Sequence, residues 1–282
     1  MVRGDPLSMR EVILRVPRDA VEEVLDGLLP IVPGGVREAL SGRHAELIMR
    51  GDDLPSRSEL ERVVARWPHE LSERQAPDDW RQRQLADYEP DLIGERLVVR
   101  PEWAPAPQAP GVLDIVLSES AAFGVGSHPT TRTCLELLLE REPRGSFADL
   151  GCGTGVLAIA AAKLGWAPVV AVDVQPASVE TTRANAAANG VTVEASMLDL
   201  AAVPPPVAEG LAANVPAWLH ARVAAALPEA VPAMAVISGF VPGEAAGVLE
   251  AYGRRGLRPA RQVEAHGWLV AVLEHDLRAA VR

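Results

Sequence analysis

The sequence predicts an α/β protein in which a small α+β domain precedes a doubly wound sheet. Three observations predict it. From about residue 111 onward, apolar runs short enough for strands alternate with helix-period patterns, the arrangement that sets parallel strands side by side with helices on both faces. Within that part, Asp149-Leu150-Gly151-Cys152-Gly153-Thr154-Gly155 joins a predicted strand to a predicted helix; ligands on such sheets gather at the carboxyl ends of strands. Ahead of it, residues 11–74 read strand, helix, strand, strand, helix, strand, the order of a ferredoxin-like sandwich.

The elements follow in order. Residues 11–17 predict a strand, and Asp19 is placed to cap a helix ending near Leu29. Residues 36–40 and 45–49 flank Ser41-Gly42-Arg43 as a hairpin. Ser56 or Ser58 caps a helix over 59–67, and 70–74 is a short last strand. Residues 1–76 are therefore expected to form the ferredoxin-like domain. Residues 77–110 read as a linker stiffened by Pro101, Pro105, Pro107 and Pro110 and interrupted by a strand over 92–100. Residues 111–282 are expected to form the sheet domain. Its helices are predicted over 130–139, 156–164, 177–189, 219–230 and 244–256, and its strands over 147–150, 169–172, 191–195, 211–214, 234–239 and 268–273.

The glycine loop points to a ligand class. Gly151, Gly153 and Gly155 let the backbone approach a ligand where a side chain would collide. Asp173 ends the next strand about twenty residues on, where such folds place a carboxylate against both hydroxyls of a ribose. A dinucleotide loop spaces its glycines G-x-G-x-x-G, but here they alternate and Val156 stands at the last glycine position. The pattern favours a nucleoside without a pyrophosphate, as in S-adenosylmethionine, and hence a methyltransferase. Asp199 follows a predicted strand and either accepts from the adenine amino group or caps a turn. Cys152 has no basic neighbour in sequence to activate it and reads as a small buried filler.

Composition narrows the partners. Asp and Glu number 38 against 27 Lys and Arg, a formal charge of −11; this opposes binding to nucleic acid phosphates and suits a basic protein. Charges interleave the first eighteen residues, so neither a membrane span nor a secretion signal is expected. Cys134 and Cys152, the two cysteines, lie in no ligand-spaced cluster, so no metal site is indicated and a reducing, cytoplasmic setting is expected. Self-association is not written in the sequence.

The stretches Phe123-Gly-Val-Gly-Ser-His-Pro-Thr-Thr131, 149–155, Val172-Asp173 and Ala213-Asn214-Val215 resemble, in order and spacing, the ribosomal protein L11 methyltransferases, the PrmA-type enzymes. The resemblance extends to 93–97 and Pro101-Glu102-Trp103. It implies a substrate-recognition domain, a linker and a class I methyltransferase domain that uses S-adenosylmethionine to methylate lysines, and the terminal amine, of a basic ribosomal protein. By that resemblance Thr131, Gly151 and Asp173 bind the cofactor; Asp149, Gly153, Gly155 and Asp199 complete the cofactor-binding assignment, Asp199 with the turn cap as its alternative. Asn214 faces the methyl-transfer centre and is both the cofactor-binding and the catalytic assignment. His128, a lone histidine before a proline, reads as a turn residue outside the catalytic set. The chain departs from the family after Asn214, where Val215-Pro216-Ala217-Trp218-Leu219-His220 replaces the usual Ile-Leu-Ala, and Gln84 stands where the linker commonly has tryptophan. Another protein lysine or a small amine is therefore the second reading of the acceptor, and a non-catalytic binding module the third.

Overall fold

The computed structural model describes residues 10–28, 31–32, 36–41, 43–51, 54–75, 92–118, 128–227 and 232–275. They fall in two compact units, one holding residues 10–75 and the other 92–275. The first unit runs β1 (Arg10–Pro17), α1 (Val21–Leu28), β2 (Arg37–Ser41), β3 (His44–Gly51), α2 (Arg57–Val64) and β4 (Glu70–Gln75). Its sheet has the order β2-β3-β1-β4, as expected for a ferredoxin-like sandwich. Strand alternation builds the core: Val12, Leu14 and Val16 of β1 and Ala45, Leu47 and Met49 of β3 are buried against Val24, Leu28, Leu60 and Val64 of the helices. On the other face, Glu11 takes hydrogen bonds from Arg50 and Arg74 on its two neighbouring strands. A 3-10 turn (Arg18–Ala20) precedes α1, so Asp19 lies within that turn and not at the helix cap. Ser56 opens α2 as predicted, its backbone amide donating to Glu59 at 2.8 Å.

The second unit contains β5 (Leu92–Ile93), β6 (Leu97–Pro101), β7 (Leu113–Leu117), α3 (Pro129–Leu139), β8 (Phe147–Leu150), α4 (Val156–Leu164), β9 (Val169–Asp173), α5 (Pro176–Ala188), β10 (Glu194–Met197), β11 (Gly210–Asn214), α6 (Ala217–Ala226), β12 (Met234–Phe240), α7 (Ala245–Gly253), β13 (Leu257–Ala265) and β14 (Trp268–His275). The main sheet has the order β10-β9-β8-β11-β12-β14-β13. The order in which successive strands are added reverses between the parallel neighbours β8 and β11, a switch point that opens a crevice at their carboxyl ends. Alternation along β8 feeds two cores: Phe147 packs on one face with Val169, Ala171, Ala212 and Val236, and Ala148 and Leu150 on the other with Leu211, Ala213 and Ile237.

Three expectations change. The sheet is not wholly parallel, because β13 and β14 pair antiparallel with each other and β14 pairs antiparallel with β12. A tight turn through His266 and Gly267, both with positive φ (52° and 88°), joins them without a helix. The single strand expected over 92–100 is a hairpin, broken where Gly94 and Glu95 take φ values of 53° and 58°. Its second strand, β6, runs parallel to β7 in a three-stranded sheet of this unit, so residues 92–118 are ordered structure on the second unit. The strand expected over 191–195 begins instead at Glu194.

Candidate functional site

The glycine loop is bound to its own scaffold. Gly151 N and Cys152 N both donate to Val172 O, at 2.8 and 3.0 Å, and Gly155 N donates to Cys152 O at 2.7 Å. Gly153 N donates to Asp173 Oδ2 at 3.0 Å. These amides are used within the fold, so they make no open nest for a pyrophosphate. Gly151, Gly153 and Gly155 all have positive φ, between 53° and 79°. A Cβ at Gly151 would stand 2.6 Å from Val215 Cγ1, and one at Gly155 2.7 Å from Thr182 Cγ2. Positions 151 and 155 therefore accommodate no side chain without displacing a neighbour, even before a ligand is considered.

Two carboxylates flank this loop. Asp173 ends β9, its Oδ1 accepting from Gln175 N at 2.9 Å and its Oδ2 from Gly153 N. Each oxygen keeps a further acceptor position, enough for two hydroxyls. Asp149 lies in β8 at 1% exposure, with Oδ2 accepting from Ala158 N, the third amide of α4, at 3.0 Å. Among the described residues its Oδ1 has no hydrogen-bond partner. Burial, reinforced by the charge of Asp173 and opposed by the Ala158 amide, pushes Asp149 up to about 7. A site with two acids and an unpartnered buried oxygen repels phosphate and attracts a cation. S-adenosylmethionine carries a sulfonium and an ammonium and fits this donor set.

Asn214 closes β11 across the crevice. Its Nδ2 donates to Thr130 Oγ1 at 3.0 Å, and Thr130 Oγ1 lies 2.6 Å from His128 Nδ1. The next residue, Val215, is held by its neighbours: its amide donates to Ser238 O at 3.1 Å, and His220 Nε2 reaches the same carbonyl at 2.9 Å. A carbonyl only accepts, so His220 carries its proton on Nε2, and Nδ1 accepts from Tyr252 Oη at 3.1 Å. Burial lowers the pKa of His220, against the effect of its backbone partners, so it is a neutral structural group. Pro216 falls at the N-cap of α6, where a missing N–H costs the helix no bond. Trp218, in the first turn, is 63% exposed.

The sequence-predicted residues divide accordingly. Asp149, the three glycines, Asp173 and Asn214 come together at the carboxyl ends of the adjacent strands β9, β8 and β11. Thr131 is buried in the first turn of α3, next to the Thr130 that reaches Asn214. Asp199 is exposed and its Oδ1 accepts from Ala201 N at 2.8 Å, which is the turn cap of the two alternatives. Cys152 is buried, with its thiol pushed up to about 12 chiefly by burial, so it is not activated as a nucleophile. The stretch from Phe123 to Ser127 lies outside the described residues. Sequence reading predicted α5 but passed over its polar side chains: Thr182 Oγ1 donates to Gly153 O at 3.1 Å and Asn185 Nδ2 to Thr154 O at 2.9 Å. Polar residues on the buried face of a predicted helix were the available signal.

A sequence model of the family described as ribosomal protein L11 methyltransferase (PrmA) matches residues 54–276. A ribosomal protein L11 methyltransferase of Geobacter metallireducens is 37% identical over 193 residues, 68% of this chain and 64% of that one. Another, of Chromohalobacter salexigens, is 34% identical over 226 residues, 74% of each chain. Among solved structures, a ribosomal protein L11 methylase from Lactobacillus delbrueckii subsp. bulgaricus superposes with a TM-score of 0.58 at 24% identity, covering 67% of this chain and 98% of that one. The last likeness concerns the fold.

Proposed function

The chain belongs to the ribosomal protein L11 methyltransferase family, and from that premise we propose that it methylates lysine side chains, and the terminal amine, of ribosomal protein L11. The observation that carries the reading is the pair of carboxylates, Asp149 and Asp173, beside a glycine loop whose amides are already engaged. S-adenosylmethionine, when bound, supplies a methyl carbon activated by its sulfonium, which becomes a neutral thioether as the amine lone pair takes the methyl group. Gly151, Gly153 and Gly155 give that ligand room, Asp173 accepts from its ribose, and Asp149 faces its cationic part. Thr131 and Asp199 are assigned to the same ligand, Asp199 through the oxygen that the turn leaves over.

Position outweighs acid–base chemistry in such a transfer. The acceptor amine must arrive neutral, against a reference pKa near 10.4, and a neighbouring cation with exclusion of water both favour the neutral form. Asn214 Oδ1 accepts a hydrogen bond from that amine and so turns its lone pair to the methyl carbon. Residues 1–76 are assigned to substrate recognition and 111–282 to catalysis; of the 77–110 stretch assigned to the connection, residues 92–110 belong to the second unit. The buried thiols of Cys134 and Cys152 suit a reducing compartment, and the reaction is assigned to the cytoplasm. The exposed Trp218 favours a second reading, in which the acceptor is another protein lysine or a small amine.

Incubating the protein and an Asn214→Ala variant with methyl-labelled cofactor and total ribosomal proteins separates the readings. Label on L11 lysines, lost in the variant, supports the first. Label on other proteins or on free amines moves the assignment to the second.

A further inference from the structure

We infer that His128 and Thr130 are positioning residues that decide which end of the Asn214 carboxamide faces the methyl acceptor. The inference rests on the assignment of Asn214 to the acceptor amine. An asparagine offers two nearly isosteric ends of opposite hydrogen-bonding character. Only one of them serves. Oδ1 accepts an N–H and leaves the amine lone pair open, whereas an NH2 in that place would donate to the very lone pair that must attack carbon.

The geometry around Thr130 makes the choice. His128 is the N-cap of α3, and its Nδ1 accepts from Thr130 N at 3.3 Å. A ring nitrogen that accepts from an amide carries no proton, so His128 is the neutral Nε2–H tautomer. Thr130 Oγ1 lies 2.6 Å from that same nitrogen, so the hydroxyl directs its single hydrogen there. What remains on Oγ1 is acceptor capacity, and Asn214 meets it with Nδ2 at 3.0 Å. Thr130 is 1% exposed, which keeps water from competing for either bond. The ring of His128 also packs edge-on to Trp268, with centroids 6.2 Å apart. The other tautomer would remove the choice: a proton on Nδ1 would occupy one of the two Thr130 lone pairs and free the hydroxyl hydrogen, so that Thr130 could meet either end of the Asn214 carboxamide. The histidine, set aside in the sequence as a turn residue, acts on the reacting centre through two hydrogen bonds.

The test combines nitrogen NMR with kinetics on the full-length protein, using Thr130→Val to remove the hydroxyl at constant shape and Thr130→Ser to restore it. In the wild type the expected spectrum has Nδ1 of His128 unprotonated, Nε2 protonated, and the Asn214 side-chain amide protected from exchange. Thr130→Val loses that protection and lowers kcat on purified L11 by about tenfold or more. Its affinity for S-adenosylmethionine, read by calorimetry, stays within about twofold, and Thr130→Ser recovers most of the kcat. A wild-type ring protonated on Nδ1 overturns the inference, as does a Thr130→Val enzyme with wild-type kcat. Absence of methyl transfer by the wild type overturns the assigned activity instead, while the ring tautomer and the amide exchange still decide the hydrogen-bond chain.

Discussion

Asp149 shows how one buried group links stability, ligand charge and pH. Its unfolded carboxyl titrates near 3.8 and its folded one near 7, so between those values the native state holds the extra proton. Folding stability from this group accordingly falls as pH rises from about 4 to about 7. A cationic ligand acts the other way, by favouring the carboxylate. Binding of S-adenosylmethionine at pH 7 is therefore expected to release about half a proton, and affinity should weaken by up to about tenfold per unit below pH 7. Calorimetry in two buffers of different ionisation enthalpy measures the release directly. Asp149→Asn should abolish both effects, and a proton count that does not change with buffer or variant would remove Asp149 from the ligand's surroundings. At this scale the sequence was informative where chemistry is local. The alternating glycines and Asp173 sit about twenty residues apart and announce a pocket. Thr130 meets Asn214 across 84 residues, and no local pattern carries that contact.

The elements were legible where burial imposes a period, and illegible where it does not. Helix α4 has the predicted bounds because Val156, Leu157, Ala158, Ile159, Ala160 and Ala161 are all buried between the glycines at 155 and 165. Strand β13 was missed because most of its residues are exposed and Pro259 interrupts it, the signature of a sheet edge. Strand β7 was missed because its edge is completed from a distance. Asn189 takes the place of a neighbouring strand, accepting from Val116 N at 2.9 Å and donating to Val116 O at 2.6 Å. Element geometry also sets the shape of the acceptor side. Gly239 in β12 has φ of 91°, and a Cβ there would penetrate the backbone of Val215. Gly239→Ala is expected to lower stability by on the order of 2 kcal/mol or more and to reduce methyl transfer by displacing Asn214. Gly247, within α7 and with open space around it, is the contrast: Gly247→Ala should add about 0.5–1 kcal/mol. Urea unfolding of the pair measures both signs, and equal effects would mean that the Val215–Gly239 contact does not constrain the fold.

For the whole molecule, separate cores, one in the first unit and two in the second, give each unit its own packing, which suits the proposed division between recognising a protein and transferring a methyl group. The alternation of strands and helices predicted the second unit, and the strand–helix order predicted the first; the hairpin β13–β14 escaped because only a turn through His266 and Gly267 specifies it. Charge acts at the same scale. A chain of formal charge −11 would draw the proposed basic substrate through solvent, over distances at which salt intervenes, since the Debye length shortens from about 30 Å at 0.01 M to about 8 Å at 0.15 M. The proposed cofactor site, by contrast, would act through Asp149 and Asp173, both buried, and buried charges are screened far less. Raising salt from about 0.01 to 0.15 M should therefore raise KM for L11 several-fold and leave kcat nearly unchanged, because encounter weakens while the aligned complex does not. The affinity for S-adenosylmethionine should shift much less over the same range. Steady-state kinetics beside calorimetry tests the contrast: a KM for L11 indifferent to salt would mean that the acidic surface does not guide the substrate and that recognition rests on short-range contacts.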